Sequence, residues 1–294
     1  MLFVYICISM HAYQCKYIHL LMQPMYRYNT LKLRISEQIA FVSFNRPEKA
    51  NAINSELWDD LHDAFTSLDN DETVRVIILS GEGKHFCSGI DLSMLQNIGQ
   101  GDTACAARIR EQLRKQILSL QATVSSIEKC SKPVLAKISG GCIGAGLDII
   151  CACDMRYASE DAFFSIKEID MGMVADLGTL QRLPSLIPEG IARELAFTGR
   201  DLSASEAERI GLINRSYSSR EDLDKAVHML AQNIAAKSPV SIRGIKNVMN
   251  YSRDHTIEDG LNYVATWNAA MLLSDDFNEV ISAKHERRNP EFGN

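Results

Sequence analysis

Two apolar, β-branched runs, Val74 to Leu79 and Pro133 to Ile138, constrain this chain more than any other feature. Neither shows the strict alternation of a half-exposed strand, so each reads as a strand buried on both faces, as in a parallel sheet covered by helices. Each also stops in a turn, at Gly81-Glu82-Gly83-Lys84 and at Ser139-Gly140-Gly141. Leu31 to Ile35 and Ile39 to Phe44 read as a β-hairpin. Asn54 or Ser55 N-caps a helix to about Leu68, with Leu57, Leu61, Ala64 and Phe65 on one face. Ala106 to Ile127 predicts a long amphipathic helix, and Ile143 to Ile150 a short internal one. Met155 to Ala158 and Phe163 to Ser165 predict short strands. From about Thr179 onward the sequence reads as helix alone, ending in Thr256 to Arg287 with a break near Ser274. Strands alternating with helices, then helices by themselves, predict an α/β core with a helical C-terminal part.

Charge and cysteine usage narrow the function classes. Lys and Arg number 31 against 37 Asp and Glu, a net charge of −6, which disfavours a generic nucleic-acid or anionic-membrane binder. The eight cysteines are scattered, form no C-x-x-C pair and show no zinc-like spacing with histidine, so they read as free thiols of a reducing compartment. Cys151 and Cys153, two apart, read as core residues on one face of a strand. The apolar run Leu2 to Met10 is too short to span a bilayer, and residues 1–27 have neither a signal-peptide cleavage pattern nor an arginine-rich leader. They are read as an extension outside the core, with Met22 and Met25 just before the first strand. No peroxisomal tripeptide is present in the terminal Phe292-Gly293-Asn294. A cytoplasmic location is expected, with mitochondrion or peroxisome as the alternative.

The chemistry concentrates in three places. His85-Phe86-Cys87-Ser88-Gly89-Ile90-Asp91 follows a strand and a glycine turn, and Gly89 lets the backbone approach a ligand. Gly140-Gly141-Cys142-Ile143-Gly144-Ala145-Gly146-Leu147-Asp148 is a glycine-rich helix start, where unpaired N–H groups suit a developing negative charge. Either alone also fits an ordinary turn. Asp148, Glu168 and Asp176 then fall within thirty residues, and Asp148 and Asp176 are flanked by apolar neighbours. A buried carboxylate is costly unless paired or functional, and its pKa rises towards the range where it takes or gives protons near neutrality. Each could instead be a cap or a salt-bridge partner. Asp154 and Arg156 read as a salt bridge along a strand, and His85, His228, His255 and His285 as solvated. Ser88 lacks the Gly-x-Ser-x-Gly setting of a hydrolase nucleophile.

Taken in order, Asn45-Arg46-Pro47 to Asn51-Ala52, Ser88-Gly89-Ile90-Asp91-Leu92, the Gly140 to Asp148 segment and Thr179-Leu180-Gln181-Arg182-Leu183-Pro184 resemble the crotonase (enoyl-CoA hydratase/isomerase) superfamily. Within it, Phe163 to Gly172, Ala175 to Arg182, Tyr251-Ser252-Arg253-Asp254-His255 and Ala265-Thr266-Trp267-Asn268 resemble the Δ3,5-Δ2,4-dienoyl-CoA isomerases. The resemblance implies a crotonase-like spiral of ββα units over residues 28–218. It also implies a helical C-terminal region over residues 219–294 that mediates homotrimers, usually paired into homohexamers. It implies an acyl-CoA substrate and a 3,5- to 2,4-dienoyl shift in fatty-acid β-oxidation. The oxyanion hole would be the N–H groups of Ile90 and Ala145. Gly89, Ile90, Asp91, Leu92, Ser93 and Gly146 would line the acyl-CoA site. Asp176 and Glu168 would move the proton, with Asp148 in support. Many members have glycine in place of Ala145, and the added methyl narrows the site. No metal or redox cofactor is expected, since CoA belongs to the substrate. The basic cluster Lys284 to Arg288 would meet the CoA phosphates or close a helix end. The competing expectations are an enoyl-CoA hydratase on the same fold, against which Asp176 argues, and a non-catalytic RNA-binding relative, against which the acidic charge argues.

Overall fold

The computed structural model describes residues 27–95 and 105–294. Of the expected N-terminal extension, residues 1–26 lie outside the described residues. The hairpin forms as read: β1 (Leu31–Ser36) pairs antiparallel with β2 (Ile39–Phe44). Helix α1 (Ser55–Asn70) follows, with the Asn54 side chain accepting from the Leu57 N–H at 3.0 Å. It buries Leu57, Trp58, Leu61, Ala64, Phe65 and Leu68, each large side chain stabilising the fold by roughly 1.5–3 kcal/mol. Next come β3 (Val76–Gly81), α2 (Leu92–Leu95), α3 (Ala106–Lys129), β4 (Val134–Ile138), β5 (Gly141–Ile143), α4 (Ala145–Cys151), β6 (Met155–Ser159) and β7 (Phe163–Ser165). A 3-10 turn, Lys167–Met171, leads towards α5 (Thr179–Arg182). The remaining elements are α6 (Glu189–Thr198), β8 (Leu202–Ser203), α7 (Ala204–Ile210), β9 (Arg215–Tyr217), α8 (Arg220–Ala235), α9 (Pro239–Tyr251), α10 (Ile257–Met271) and α11 (Asp275–Glu286).

The main sheet runs β1-β2-β3-β4-β6-β9 and is parallel from β2 onward; a small sheet runs β5-β7-β8. The absence of alternation in β3 now has its cause. Ile77 and Leu79 enter the main core, while Val76 and Ile78 enter a second cluster under α8 with Leu223, Val227, Ala231 and Ala235. Both faces of the strand are covered, so both are apolar.

Three expectations need correcting. The region after Thr179 is not all helix, because β8 and β9 extend the two sheets as edge strands of two and three residues, too short to show a period. Cys151 and Cys153 are buried, but Cys151 ends a helix and Cys153 lies in the turn after it. Asp154 and Arg156 do not pair. Asp154 binds Lys246 Nζ at 2.8 Å and the Val134 N–H at 2.7 Å, whereas the Arg156 guanidinium donates to the carbonyls of Leu212 and Cys153. Each side chain thus has a partner distant in the chain, Lys246 for Asp154 and Leu212 for Arg156.

Candidate active site

Two backbone segments meet beneath the sheet's carboxyl edge. Cys87 N–H donates to the Gly141 carbonyl at 3.0 Å, and Ile143 N–H donates back to the Cys87 carbonyl at 2.9 Å. On the other side, Ile53 N–H donates to the Gly89 carbonyl at 2.8 Å and Asp91 N–H to the Ile53 carbonyl at 2.9 Å. Ile90 sits between these bonded neighbours, and among the described residues its own N–H has no backbone acceptor. Ala145 is the first residue of α4, a position whose N–H has no intrahelical acceptor. The preceding Gly144 takes φ 52°, ψ −119°, a conformation natural only to glycine. That turn swings the chain from β5 into α4.

Asp148 lies one turn further along α4, 1 % exposed. Its Oδ1 accepts from the Thr179 N–H at 2.6 Å, while Oδ2 is buried and, among the described residues, has no partner. Burial, together with the Asp176 charge, pushes its carboxyl up to about 6 against the pull of the Thr179 bonds. Glu168 comes from the 3-10 turn after β7. Its carboxylate covers Gly144, where a Cβ would stand 3.2 Å from Oε1. Its Oε2 is buried and likewise without a partner among the described residues. Burial, then the neighbouring Asp148, pushes Glu168 up to about 7. Asp176 is the most open of the three, and partial desolvation moves its carboxyl upward. The three acids therefore sit within electrostatic reach of one another, with graded proton affinities.

Ile90, Glu168 and Asp176 share the wall of one cavity of about 390 Å³. The rest of the lining is mostly apolar: Leu113, Ile117 and Leu120 of α3, with Met173, Val174 and Leu177 from the loop after the 3-10 turn. The spacing 113, 117, 120 is one face of a helix, a signal available in the sequence but not turned into a site. Thr179 as the partner of Asp148 was also missed; it stood only as part of a motif.

The other expected substrate-lining residues shape the site's surroundings. Gly89 is buried, with its N–H 3.4 Å from the Cys87 sulfur. Asp91 is engaged by Arg46 at 3.2 Å and by the Ser93 hydroxyl at 2.8 Å, which hold it below the usual carboxylate range. Leu92 and Ser93 are exposed on α2. Gly146 packs on Cys87, whose Cβ a side chain would meet at 2.9 Å. His85 is not simply solvated: its Nδ1 accepts the Gly141 N–H at 2.9 Å, and burial lowers its pKa. In the basic cluster, Arg288 is engaged by Glu279 and Glu286, as suits a helix end.

The enoyl-CoA hydratase/isomerase family model matches residues 34–294. A peroxisomal Delta(3,5)-Delta(2,4)-dienoyl-CoA isomerase of Arabidopsis thaliana is 49% identical over 273 residues, covering 91% of this chain and 98% of that protein. A mitochondrial enzyme of the same name from Mus musculus is 43% identical over 267 residues, covering 90% of this chain and 82% of that one. Among solved structures, an enoyl-CoA hydratase from Bacillus anthracis superposes with TM-score 0.82 at 28% identity, covering 90% of this chain and 99% of that one.

Proposed function

The chain belongs to the enoyl-CoA hydratase/isomerase family, and from that premise we propose that it isomerises 3,5-dienoyl-CoA to 2,4-dienoyl-CoA, the reaction named for relatives 49% and 43% identical to it. The observation that carries this reading is a second proton-carrying acid, Asp176, on the same cavity wall as Glu168. The thioester acidifies the C2 protons. Removal of one gives a dienolate whose charge reaches the thioester oxygen, and the proton must return at C6. Two acids spaced along the acyl chain serve both ends; a single one serves them poorly.

The N–H groups of Ile90 and Ala145 stabilise the oxyanion, each donor contributing about 3 kcal/mol. Asp176, the more open acid, takes the C2 proton. Glu168, raised to about 7, is protonated in about half of the molecules at neutrality, and in that form delivers its proton to C6. Asp148, with one oxygen on the Thr179 N–H, keeps negative charge nearby and holds Glu168 in its protonated form. The apolar wall from α3 takes the acyl tail. The chemistry calls for no metal or redox group, and CoA arrives with the substrate.

The chain acts as a homotrimer or homohexamer, supported by exposed apolar side chains on the C-terminal helices, Met249, Leu261 and Leu272 among them. The expected cytoplasmic location draws no support from relatives named peroxisomal and mitochondrial; an organelle, the alternative, is the location those names favour.

The test is a spectrophotometric assay with 3,5-octadienoyl-CoA, following the conjugated thioester, beside hydration of crotonyl-CoA. Isomerisation should dominate, and Asp176→Asn should lower kcat by about 100-fold or more while acyl-CoA still binds. Hydration alone, or an Asp176→Asn enzyme of near-normal activity, would transfer the chemistry to a hydratase mechanism on the same oxyanion hole.

A further inference from the structure

Gln121, Ser125 and Glu128 recur on one stripe of α3, and all three are tied to the segment that runs from Asp176 to α5. Gln121 Nε2 donates to the Asp176 carbonyl at 2.6 Å. Glu128 Oε2 accepts from Arg182 Nη2 at 2.9 Å and from its Nε at 3.3 Å, and the Ser125 hydroxyl accepts from the same Nη2 at 3.2 Å. Arg182 Nη1 in turn donates to the Leu177 carbonyl at 3.5 Å. The guanidinium lies so close over Gly178 that a Cβ there would fall 1.8 Å from Nη1. From the far side, Arg253, in the turn after α9, donates to Glu128 Oε1 at 2.6 Å. The two guanidinium groups outweigh the burial of Glu128 and keep it ionised.

Successive carbonyls, at Asp176 and Leu177, are thus bonded from α3 or through Arg182. The next N–H but one, at Thr179, is the bond that holds Asp148. The Glu128–Arg182 pair is only 21% and 14% exposed, unlike a surface ion pair of little consequence. We propose that Gln121 and Glu128 are positioning residues: from one face of α3 they fix the peptide that carries Asp176 and the N–H that orients Asp148, and so set where the C2 base points. The proposal rests on the isomerase reading above. Gln121 and Glu128 themselves do not line the cavity wall; they act through the loop behind it. The charged groups coupled to Asp176 are Glu168 from the 3-10 turn and Asp148 from α4, and Arg182 from α5 acts on Asp148.

The test compares the full-length wild type with Gln121→Met, which keeps side-chain length and removes the donor. With 3,5-octadienoyl-CoA, kcat should fall about tenfold, as expected when a reacting group loses its aim, while KM stays within about twofold. The loosened Asp176 carboxyl gains water, so the acid limb of the kcat–pH profile should move to lower pH. Hydrogen exchange at residues 176–179 should quicken, with exchange in α1 unchanged. An unaltered kcat and pH profile, or a rise in KM alone, overturns the proposal. If the wild type shows no isomerisation, the isomerase reading fails on its own, and the exchange measurement still decides the brace: unchanged protection at 176–179 overturns it. Should Gln121→Met not fold, Glu128→Gln takes its place, with the same slowing and the same shift expected.

Discussion

Glu168 keeps its proton near neutrality because its buried Oε2 has no donor to stabilise the charge and Asp148 stands beside it. That state has a cost in stability. An acid whose folded pKa lies above its unfolded value binds more protons when folded, so stability declines as pH rises from the unfolded pKa through the folded one. For Glu168 the window runs from 4.5 to about 7. Glu168→Gln should therefore be more stable than wild type at pH 8, by about 3 kcal/mol, and inactive. Urea titrations should show the gain shrinking as pH falls through the window; an equal gain at pH 8 and pH 4.5 would mean that the charge is not its origin. Asp148 and Asp176 were legible in the sequence because a carboxylate among apolar neighbours is anomalous, and Glu168 because it falls within thirty residues of both. Gln121 was not, since a glutamine on an amphipathic helix is ordinary until its acceptor, 55 residues away, is folded against it.

At the scale of elements, the turn from β5 into α4 matters most, since Gly144 links the strand that pairs with β7 to the helix bearing Ala145 and Asp148. Gly144→Ala places a methyl group 3.2 Å from Glu168 Oε1 in a backbone conformation that alanine resists. The chain should still fold, at a loss of about 1–2 kcal/mol, while kcat falls about 100-fold through the displaced acid. Circular dichroism and steady-state kinetics on the same preparation test both halves. The long elements could be read directly: α1 and α3 show helical period, and β3 and β4 are apolar on both faces. Strands β5, β8 and β9 could not, because two or three residues have no period and their pairing is decided by what the rest of the chain brings alongside. Arg156 escaped for a related reason, since one of its acceptors, the Leu212 carbonyl, is supplied by a loop 56 residues along the chain.

Across the whole molecule, the C-terminal helices are fastened to the sheet by Lys246, only 7 % exposed, which reaches Asp154 and the Lys132 carbonyl. Helices α9, α10 and α11 leave an apolar groove lined by Ile245, Val248, Met249, Val264, Trp267 and Phe277. A trimer or hexamer covering this surface should be seen by analytical ultracentrifugation at micromolar protein, and Met249→Asp should shift it towards monomer; a wild-type chain that sediments as a monomer would leave the groove unaccounted for by self-association.

The two segments that offer the Ile90 and Ala145 N–H groups are stitched to each other and to Ile53 largely by main-chain bonds, with the His85 side chain adding one to Gly141. No point substitution deletes a peptide N–H except one to proline, so the proposed grip on a thioester is hard to lose by drift, whereas the proposed proton-moving acids change with one codon. A lineage built on this frame can exchange one proton-handling chemistry for another and remain, throughout, a binder of acyl thioesters.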